Sequence, residues 1–327
     1  MVNIAINGFG RIGRMLFKLA LENNLKVVAI NDLQTPESAA YLLKYDSIYG
    51  RYEEDVTTNG HALVVNGKKI PIVSEQDPAR LPWKKLGVDV VLEATGRFTD
   101  REGASKHLKA GAKKVIITAP ARNPDITLVP GVNDKALKKE HRIISLGSCT
   151  TNCTAPVVKV LDDAFGIKHA LLTTIHAYTN DQATHDMAHK KLRRGRAAAL
   201  NMVPTTTGAA DAVIEVLPQL RGKMTGMAIR VPVACGSLID LTAELKKTPS
   251  VNEINKLFKK LSSSSMKGII SYNEDEIVSS DIIKDSHSAI FDATLTQALG
   301  AHVKVFAWYD NEYAYSKRVI DVIEMLR

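Results

Sequence analysis

The stretch Val2-Asn3-Ile4-Ala5-Ile6-Asn7-Gly8-Phe9-Gly10-Arg11-Ile12-Gly13 decides the first half of the fold. Its apolar, β-branched opening reads as a strand around residues 4–6. Three glycines follow at the spacing GxGxxG. Residues 12–22 then carry Met15, Leu16, Leu19 and Ala20 on one helical face. In a strand–turn–helix of this kind Gly8 permits the tight turn, Gly10 lets the backbone approach a pyrophosphate, and Gly13 lets the helix pack on the strand. The first helical turn offers free N–H donors and a partial positive charge to the phosphates. By itself the spacing also describes an ordinary turn. Residues 25–30 form a second apolar strand, and Asp32 ends it 19 residues past Gly13, where a carboxylate reaches the hydroxyls of an adenosine ribose. Such a carboxylate accepts from the 2′- and 3′-hydroxyls and repels a 2′-phosphate, which favours NAD over NADP.

Residues 88–92 and 114–117 are near-continuous apolar runs, as expected of parallel strands covered on both faces. Strand–helix alternation up to residue 148 implies an α/β, Rossmann-type doubly wound sheet. Ligands of such sheets lie beyond the carboxyl ends of the strands. The segments Glu93-Ala94-Thr95-Gly96 and Thr118-Ala119-Pro120 sit there, so Thr95 and Thr118 are expected against the dinucleotide, mostly through backbone. Asn66-Gly67 between two apolar runs predicts a hairpin over 61–73. After Cys149 long β-type stretches dominate, at 171–177, 226–233, 238–245, 269–272 and 302–308. Helical patterns at 155–165, 209–216 and 251–260 fall between them. This pattern predicts a C-terminal α+β catalytic domain with a mostly antiparallel or mixed sheet. Residues 315–327 place Tyr315, Val319, Val322, Ile323 and Leu326 on one stripe. The expected division is 1–148 with 313–327 returning to it as the dinucleotide-binding domain, and 149–312 as the catalytic domain.

A chain of 327 residues accommodates about two domains, and 45% hydrophobic with 24% charged residues is ordinary for a soluble globular protein. No basic segment precedes a short apolar core at the start, and no run of about 20 apolar residues occurs, so neither a signal peptide nor a membrane span is expected. Three cysteines make no disulfide framework, and the expected compartment is the cytoplasm. No CxxC or histidine pair joins them, so no metal site is expected. The formal charge of +8 can attract nucleic acid or small anions. It is spread out, with short clusters such as Lys190-Lys191-Leu192-Arg193-Arg194, and nucleic acid is not expected as the primary partner. Residues 178–197 are polar, basic and aperiodic. A loop of that length is expected to be functional, packed against something such as another subunit.

The chemistry centres on Ser148-Cys149-Thr150-Thr151-Asn152-Cys153, which follows a strand at 142–146 and opens a helix. His176 lies 27 residues after Cys149, at the end of Thr173-Thr174-Ile175-His176-Ala177. A helix N-terminus stabilises a thiolate, and so does a neighbouring imidazolium. The imidazole can take the thiol proton and later that of a hemithioacetal. An isolated cysteine or histidine is usually structural, and Cys153, one helical turn beyond Cys149, is expected to be buried. Beside a hydride acceptor, a thiol–imidazole pair suggests aldehyde oxidation through a thioester. Hydroxyls, N–H groups and arginines suited to phosphate cluster around it. They are Ser148 and Thr150, Thr179 and Asp181, Thr207 and Gly208 opening a helix, Arg194 in the long loop and Arg230 on a strand. Two anionic sites flanking one thiol suit a phosphorylated aldehyde plus inorganic phosphate.

From Asn7-Gly8-Phe9-Gly10-Arg11-Ile12-Gly13-Arg14 to Trp308-Tyr309-Asp310-Asn311-Glu312, essentially the whole chain resembles the phosphorylating glyceraldehyde-3-phosphate dehydrogenase family. The resemblance implies Cys149 as nucleophile and His176 as base. It implies Thr179, Asp181 and Arg230 for the substrate's own phosphate, and Ser148, Thr150, Thr207 and Gly208 for the attacking phosphate. Arg194 is similar to an anion-binding arginine serving both. Arg11, Ile12 and Asp32 look like dinucleotide contacts, and Asn311 resembles the residue that orients the nicotinamide amide. The implied reaction is reversible conversion of glyceraldehyde 3-phosphate and inorganic phosphate to 1,3-bisphosphoglycerate with NAD. The implied assembly is a homotetramer with 178–197 at subunit interfaces. Two departures stand out. Met187-Ala188 replaces the Leu-Pro usual in NAD-preferring members, which leaves room for a 2′-phosphate and keeps NADP or dual use open. Tyr313-Ala314 replaces the usual Trp-Gly and bears on local packing. An erythrose-4-phosphate dehydrogenase shares the thiol–imidazole pair. A nucleic-acid or surface interaction protein rests on the +8 charge alone.

Overall fold

The computed structural model describes residues 2–327, which divide into two units. One unit runs to Leu128 and adds Lys135–Gly147 and Ser316–Arg327. The other comprises Val129–Asp134 and Ser148–Tyr315.

In the first unit Ile4, Ala5 and Ile6 are all fully buried, because strand β1 (Asn3–Asn7) is covered on both faces. Helix α1 (Arg11–Glu22) returns along it and buries Met15, Leu16, Phe17, Leu19 and Ala20. Strand β2 (Lys26–Asn31) pairs parallel to β1. Helix α2 (Pro36–Lys44) is short and went unseen in the periodicity. Its start is nonetheless written in the chain: Thr35 caps it by accepting from Ser38 N–H, and Pro36 occupies its first turn. The small ribbon β3 (Tyr45–Asp46) and β4 (Gly50–Arg51) follows, then β5 (Val56–Asn59), β6 (Ala62–Val65) and β7 (Lys68–Val73). The predicted hairpin is β6–β7. Asn66 and Gly67 both take positive φ (49° and 74°), as its two-residue turn requires. Because β7 also pairs with β2, the hairpin extends the main sheet. Strand β8 (Val90–Glu93), helix α3 (Arg101–Lys109, capped by Asp100), and strands β9 (Lys114–Ile117), β10 (Ile126–Thr127) and β11 (Ile143–Ser145) complete the unit.

The sheet order is β10-β11-β9-β8-β1-β2-β7-β6-β5. From β1 the chain builds outward on one side through β2 and on the other through β8, so the switch point lies at the carboxyl end of β1. Gly8 sits there with φ +92°. A Cβ on it would lie 2.8 Å from the backbone of Ala94 and Thr95. A Cβ on Gly13 would come within 2.0 Å of the Gly8 carbonyl oxygen, while one on Gly10 would meet nothing.

The second unit opens with α4 (Cys149–Phe165), which starts six residues before the apolar periodicity suggests. Its first turn is polar yet buried, and a capping box starts it. Ser148 Oγ accepts from Thr151 N–H at 3.0 Å, and Ser148 N–H donates to Thr151 Oγ1 at 3.3 Å. Strands β12 (Ile167–Ala177) and β13 (Val203–Thr206), helix α5 (Ala209–Val216), strands β14 (Met224–Val231) and β15 (Ser237–Leu245), helix α6 (Val251–Ser262), and strands β16 (Ile270–Asn273), β17 (Ala289–Leu299) and β18 (His302–Tyr309) follow, and the chain ends in helix α7 (Tyr313–Met325), which from Ser316 onward belongs to the first unit. The sheet order is β13-β14-β12-β15-β18-β17-β16. Two pairings, β12–β14 and β16–β17, are parallel and the rest antiparallel, as the sequence predicts of a mixed sheet. Helices α4, α5 and α6 share one core with the strands, including Val157, Leu161, Val213, Phe258 and Phe291. Strand β17 escaped the sequence reading because Asp292 interrupts its apolar run. That carboxylate is buried and accepts from Trp308 Nε1 at 2.9 Å, and the register shifts just beyond it. Residues 178–197 hold one short 3₁₀ turn, Leu192–Gly195. Among the described residues no helix is long and apolar enough to cross a membrane.

The two glycines of the first turn are expected to respond oppositely. Gly13→Ala should destabilise the protein by about 1–3 kcal/mol through overpacking. Gly10→Ala should cost under about 1 kcal/mol, the difference between two residues at an N-cap. Equal thermal midpoints for the two variants would contradict this packing.

Candidate active site

Cys149 is the first residue of α4, and its Sγ lies 3.3 Å from His176 Nε2. The helix places the thiol and the carboxyl end of strand β12 places the imidazole. His176 Nδ1 is 2.7 Å from the Ala177 carbonyl, so Nδ1 carries the proton and donates to that oxygen. Nε2 therefore presents its lone pair to the thiol. The parallel register pairs His176 with Arg230, whose Nη1 donates to the Ala177 carbonyl at 3.1 Å and to Thr179 Oγ1 at 3.3 Å. The buried Arg230 Nε–H has no hydrogen-bond partner among the described residues.

Burial, and then the positive charge of Arg230, hold His176 down to about 3. The resting imidazole is thus neutral. This suits the expected base: an imidazolium beside the thiol arises when Nε2 takes the proton from Sγ. Burial pushes the Cys149 thiol up, while Arg230 and hydrogen bonds from Thr150 and the helix backbone pull it back. The charge already facing the sulfur is therefore a guanidinium. Cys149 keeps a partly exposed surface, whereas Cys153 is fully buried, as its position one turn later predicts.

Two predicted phosphate ligands have other work. The Thr150 hydroxyl is buried and bonded to Tyr309 Oη at 2.9 Å, so its backbone N–H is the group left for an anion. Asp181 bonds Arg194 in a close ion pair. Partial burial opposes ionisation, yet the hydrogen bond and charge of Arg194 hold this carboxyl below its usual range. A carboxylate beside a phosphate would repel it, and Asp181 is placed to orient Arg194. That guanidinium also donates to Thr205 Oγ1 at 3.0 Å and to the Thr206 carbonyl at 2.9 Å. Thr207 and Gly208 open α5; Gly208 caps it without a side chain, and Thr207 Oγ1 accepts from the first N–H of the helix, that of Ala209, at 3.1 Å. Ser148 and Thr179 are partly exposed.

In the first unit, a cleft of about 330 Å³ lies at the carboxyl ends of β1, β2 and β8, lined by Gly8, Gly10, Asp32, Leu33, Thr95 and Phe98 among others. The open space at Gly10 and the uncapped first turn of α1 fit a pyrophosphate. Asp32 accepts from Phe9 N–H at 2.5 Å and Gln34 N–H at 2.9 Å, so it braces the glycine turn and still has lone pairs for ribose hydroxyls. The Arg11 guanidinium is held by Asp46 at 3.3 Å and over the Tyr49 ring, which leaves the N–H groups of Arg11 and Ile12 to face a phosphate. Thr95 donates its N–H and hydroxyl to Glu93. Thr118 donates both of its own to the Glu93 carbonyl at 3.0 Å.

In the second unit, Asn311 accepts from Gly236 N–H at 3.1 Å and Ser237 Oγ at 3.0 Å. Two donors on one atom identify it as the amide oxygen, so the Nδ2 group remains to donate.

Sequence reasoning missed Tyr309. Its buried hydroxyl bridges Thr150 and Thr174 (2.8 Å), and its ring meets His176 edge-on at 5.9 Å. The available signal was the inward alternation Val303, Val305, Ala307, Tyr309 along β18, which carries a phenol into the core.

Comparison with known proteins bears on the whole chain. Residues 2–101 match the family described as glyceraldehyde 3-phosphate dehydrogenase, NAD binding domain, and residues 148–311 match its C-terminal domain. A glyceraldehyde-3-phosphate dehydrogenase of Geobacillus stearothermophilus is 54% identical over 324 residues, 98% of this chain and 97% of that one. One of Thermotoga maritima is 54% identical over 330 residues, covering 100% and 99%, and glyceraldehyde-3-phosphate dehydrogenase 2 of Bacillus subtilis is 51% identical over 325 residues, covering 98% and 96%. The thiol–imidazole pair, the glycine turn and these matches over both units agree, and the chain belongs to the glyceraldehyde 3-phosphate dehydrogenase family, with an NAD-binding domain at its N-terminus.

Proposed function

We propose that this protein oxidises glyceraldehyde 3-phosphate with NAD and inorganic phosphate to 1,3-bisphosphoglycerate, through an acyl thioester on Cys149. The observation that carries the reading is the 3.3 Å contact between a sulfur at a helix start and a neutral, correctly tautomerised imidazole. Sγ attacks the aldehyde carbon while its proton passes to Nε2 of His176 and on to the carbonyl oxygen, giving a hemithioacetal. The developing oxyanion is met by the N–H groups of Cys149 and Thr150 at the start of α4, that of Thr151 being spent on Ser148 Oγ. When bound, NAD supplies the two-electron acceptor that turns the hemithioacetal into a thioester as Nε2 takes the hydroxyl proton. Inorganic phosphate, held by Ser148, Thr207, Gly208 and the N–H of Thr150, then attacks the thioester carbon and releases the Cys149 thiolate next to Arg230. Thr179 and Arg230 hold the substrate's own phosphate, and Arg194 serves both anions. Asn311 would hold the nicotinamide amide through its Nδ2 group when NAD is bound. Asp32, with Glu37 in the first turn of α2 nearby in sequence, disfavours a 2′-phosphate and supports NAD as the working cofactor.

The protein is proposed to work in the cytoplasm as a homotetramer. Leu171 and Met227 lie exposed on one face of β12 and β14, Leu192 (85% exposed) lies in the long loop, and Leu200 (81%) and Met202 (74%) follow it. Apolar exposure of this kind marks surfaces that partners cover.

Without inorganic phosphate, the enzyme should reduce about one equivalent of dinucleotide per active site and stop, because the thioester has no acceptor. Stopped-flow absorbance checks this, and steady full-rate turnover without phosphate would sink the thioester–phosphate scheme. Cys149→Ser should lose at least about 10³-fold in kcat, the scale of losing a nucleophile. Arg230→Met should shift the pH profile of Cys149 alkylation by iodoacetamide to higher pH, since the guanidinium lowers the thiol pKa. An unmoved midpoint would remove Arg230 as the thiolate's electrostatic partner. Asp32→Ala should narrow the ratio of kcat/KM for NAD over NADP by about ten-fold or more, the scale of one charge–charge repulsion. An unchanged ratio would show that selectivity lies elsewhere.

A further inference from the structure

Beneath the dinucleotide cleft runs a chain of buried polar groups that the chemistry above does not use. Trp83, Asn7, Glu93 and His107 are each no more than 1% exposed, and Asn31 is 5% exposed. Trp83 Nε1 can only donate, and it lies 3.0 Å from His107 Nδ1, so Nδ1 is the acceptor and Nε2 carries the proton. His107 Nε2 then donates to Glu93 Oε2 at 3.0 Å, alongside Asn7 Nδ2 at 2.5 Å. Glu93 Oε1 takes the Thr95 N–H at 2.8 Å and the Thr95 hydroxyl. Asn7 Oδ1 accepts from Asn31 Nδ2 at 2.6 Å, and Asn31 Oδ1 accepts from Glu75 N–H at 2.9 Å. Asn31 Nδ2 also donates to the Glu75 carbonyl at 2.9 Å.

Four donors converge on the one Glu93 carboxyl group, and two of the residues supplying them flank Gly8. Asn7 precedes Gly8 in sequence. The Thr95 backbone is what a Cβ on Gly8 would strike, at 2.8 Å. The spacing between the glycine turn and the facing wall of the cleft is thus set by one carboxyl group that bonds to both walls without itself lining the cleft.

We propose that Glu93, supported by Asn7 and His107, is a positioning residue for the dinucleotide: it holds the Gly8 turn and the Thr95 wall at the separation the ligand needs. The proposal rests on reading this cleft as the NAD site. An apolar substitute would fill the volume but lose the register between two loops. The polar network is therefore a device of geometry, and its disruption should weaken ligand binding before it touches the thiol chemistry.

The test uses the full-length protein, with NAD binding measured by isothermal titration calorimetry beside steady-state kinetics and thermal melting. Glu93→Gln keeps shape but turns a donor toward donors. It should raise the NAD dissociation constant at least ten-fold, with kcat at saturating NAD and KM for the aldehyde within two-fold of wild type. Adding Asn7→Asp restores an acceptor opposite the new amide and should recover at least three-fold of the lost affinity, a reversal that general loosening does not produce. His107→Phe keeps ring volume and removes one donor, should weaken NAD binding a few-fold, and decides the matter if Glu93→Gln does not fold. Wild-type affinity in the folded variants, or losses spread equally over kcat and aldehyde KM, would overturn the proposal while leaving the NAD site in place. Failure of the wild-type protein to bind NAD would overturn both.

Discussion

The hydrogen bond between the Ala177 carbonyl and His176 Nδ1 is the contact on which the catalytic centre depends. It fixes the tautomer, and the tautomer decides whether Nε2 can receive the thiol proton. A ring flipped to donate from Nε2 would present a hydrogen to the sulfur and leave no base. The same carbonyl receives Arg230, so one backbone oxygen orients both the base and the cation. Residue pairing along β12 and β14 puts His176 and Arg230 side by side, and pairing of β15 with β18 brings Tyr309 beneath them. A slip of one residue in either pairing would send one member of this group to the opposite face of the sheet.

The electrostatics follow from that arrangement. Burial disfavours charge on both the thiol and the imidazole, so the resting pair is neutral. The arginine lies beside a sulfur that becomes negative during the reaction and beside an imidazole whose protonation it opposes. The proton therefore returns readily from Nε2. Carboxylates near the anion-binding groups serve as orienting partners: Asp181 aims Arg194. In the first unit Asp46 likewise draws the Arg11 side chain aside and leaves the helix start to its backbone donors.

The first unit uses close backbone approach as its constraint. Gly13 against the Gly8 carbonyl, and Gly8 against Thr95, leave no room for a methyl group, whereas Gly10 faces open space. Absent side chains thus do two different jobs within six residues. Polar side chains under the turn, led by Glu93, complete what the glycines begin.

Local sequence by itself determined the elements whose signal is contained in a few adjacent residues. The glycine turn, the strand–helix alternation, the Asn66-Gly67 hairpin and the start of a helix near Cys149 are of this type, because turn chemistry and side-chain periodicity act over short range. It also singled out Cys149, His176 and Arg230 as residue types, and the resemblance to a known family assigned them roles. Tertiary structure alone decided how those groups are used. The neutral state of His176 comes from burial and from a cation 54 residues away in the chain. The diversion of the Thr150 hydroxyl to Tyr309 spans 159 residues, and the convergence on Glu93 joins Asn7 to it across 86. Strand β17 was illegible for the same reason: Asp292 is buried only because Trp308, 16 residues further along the chain, donates to it. Desolvation and hydrogen-bond pairing depend on what the fold brings together, and no local pattern encodes them.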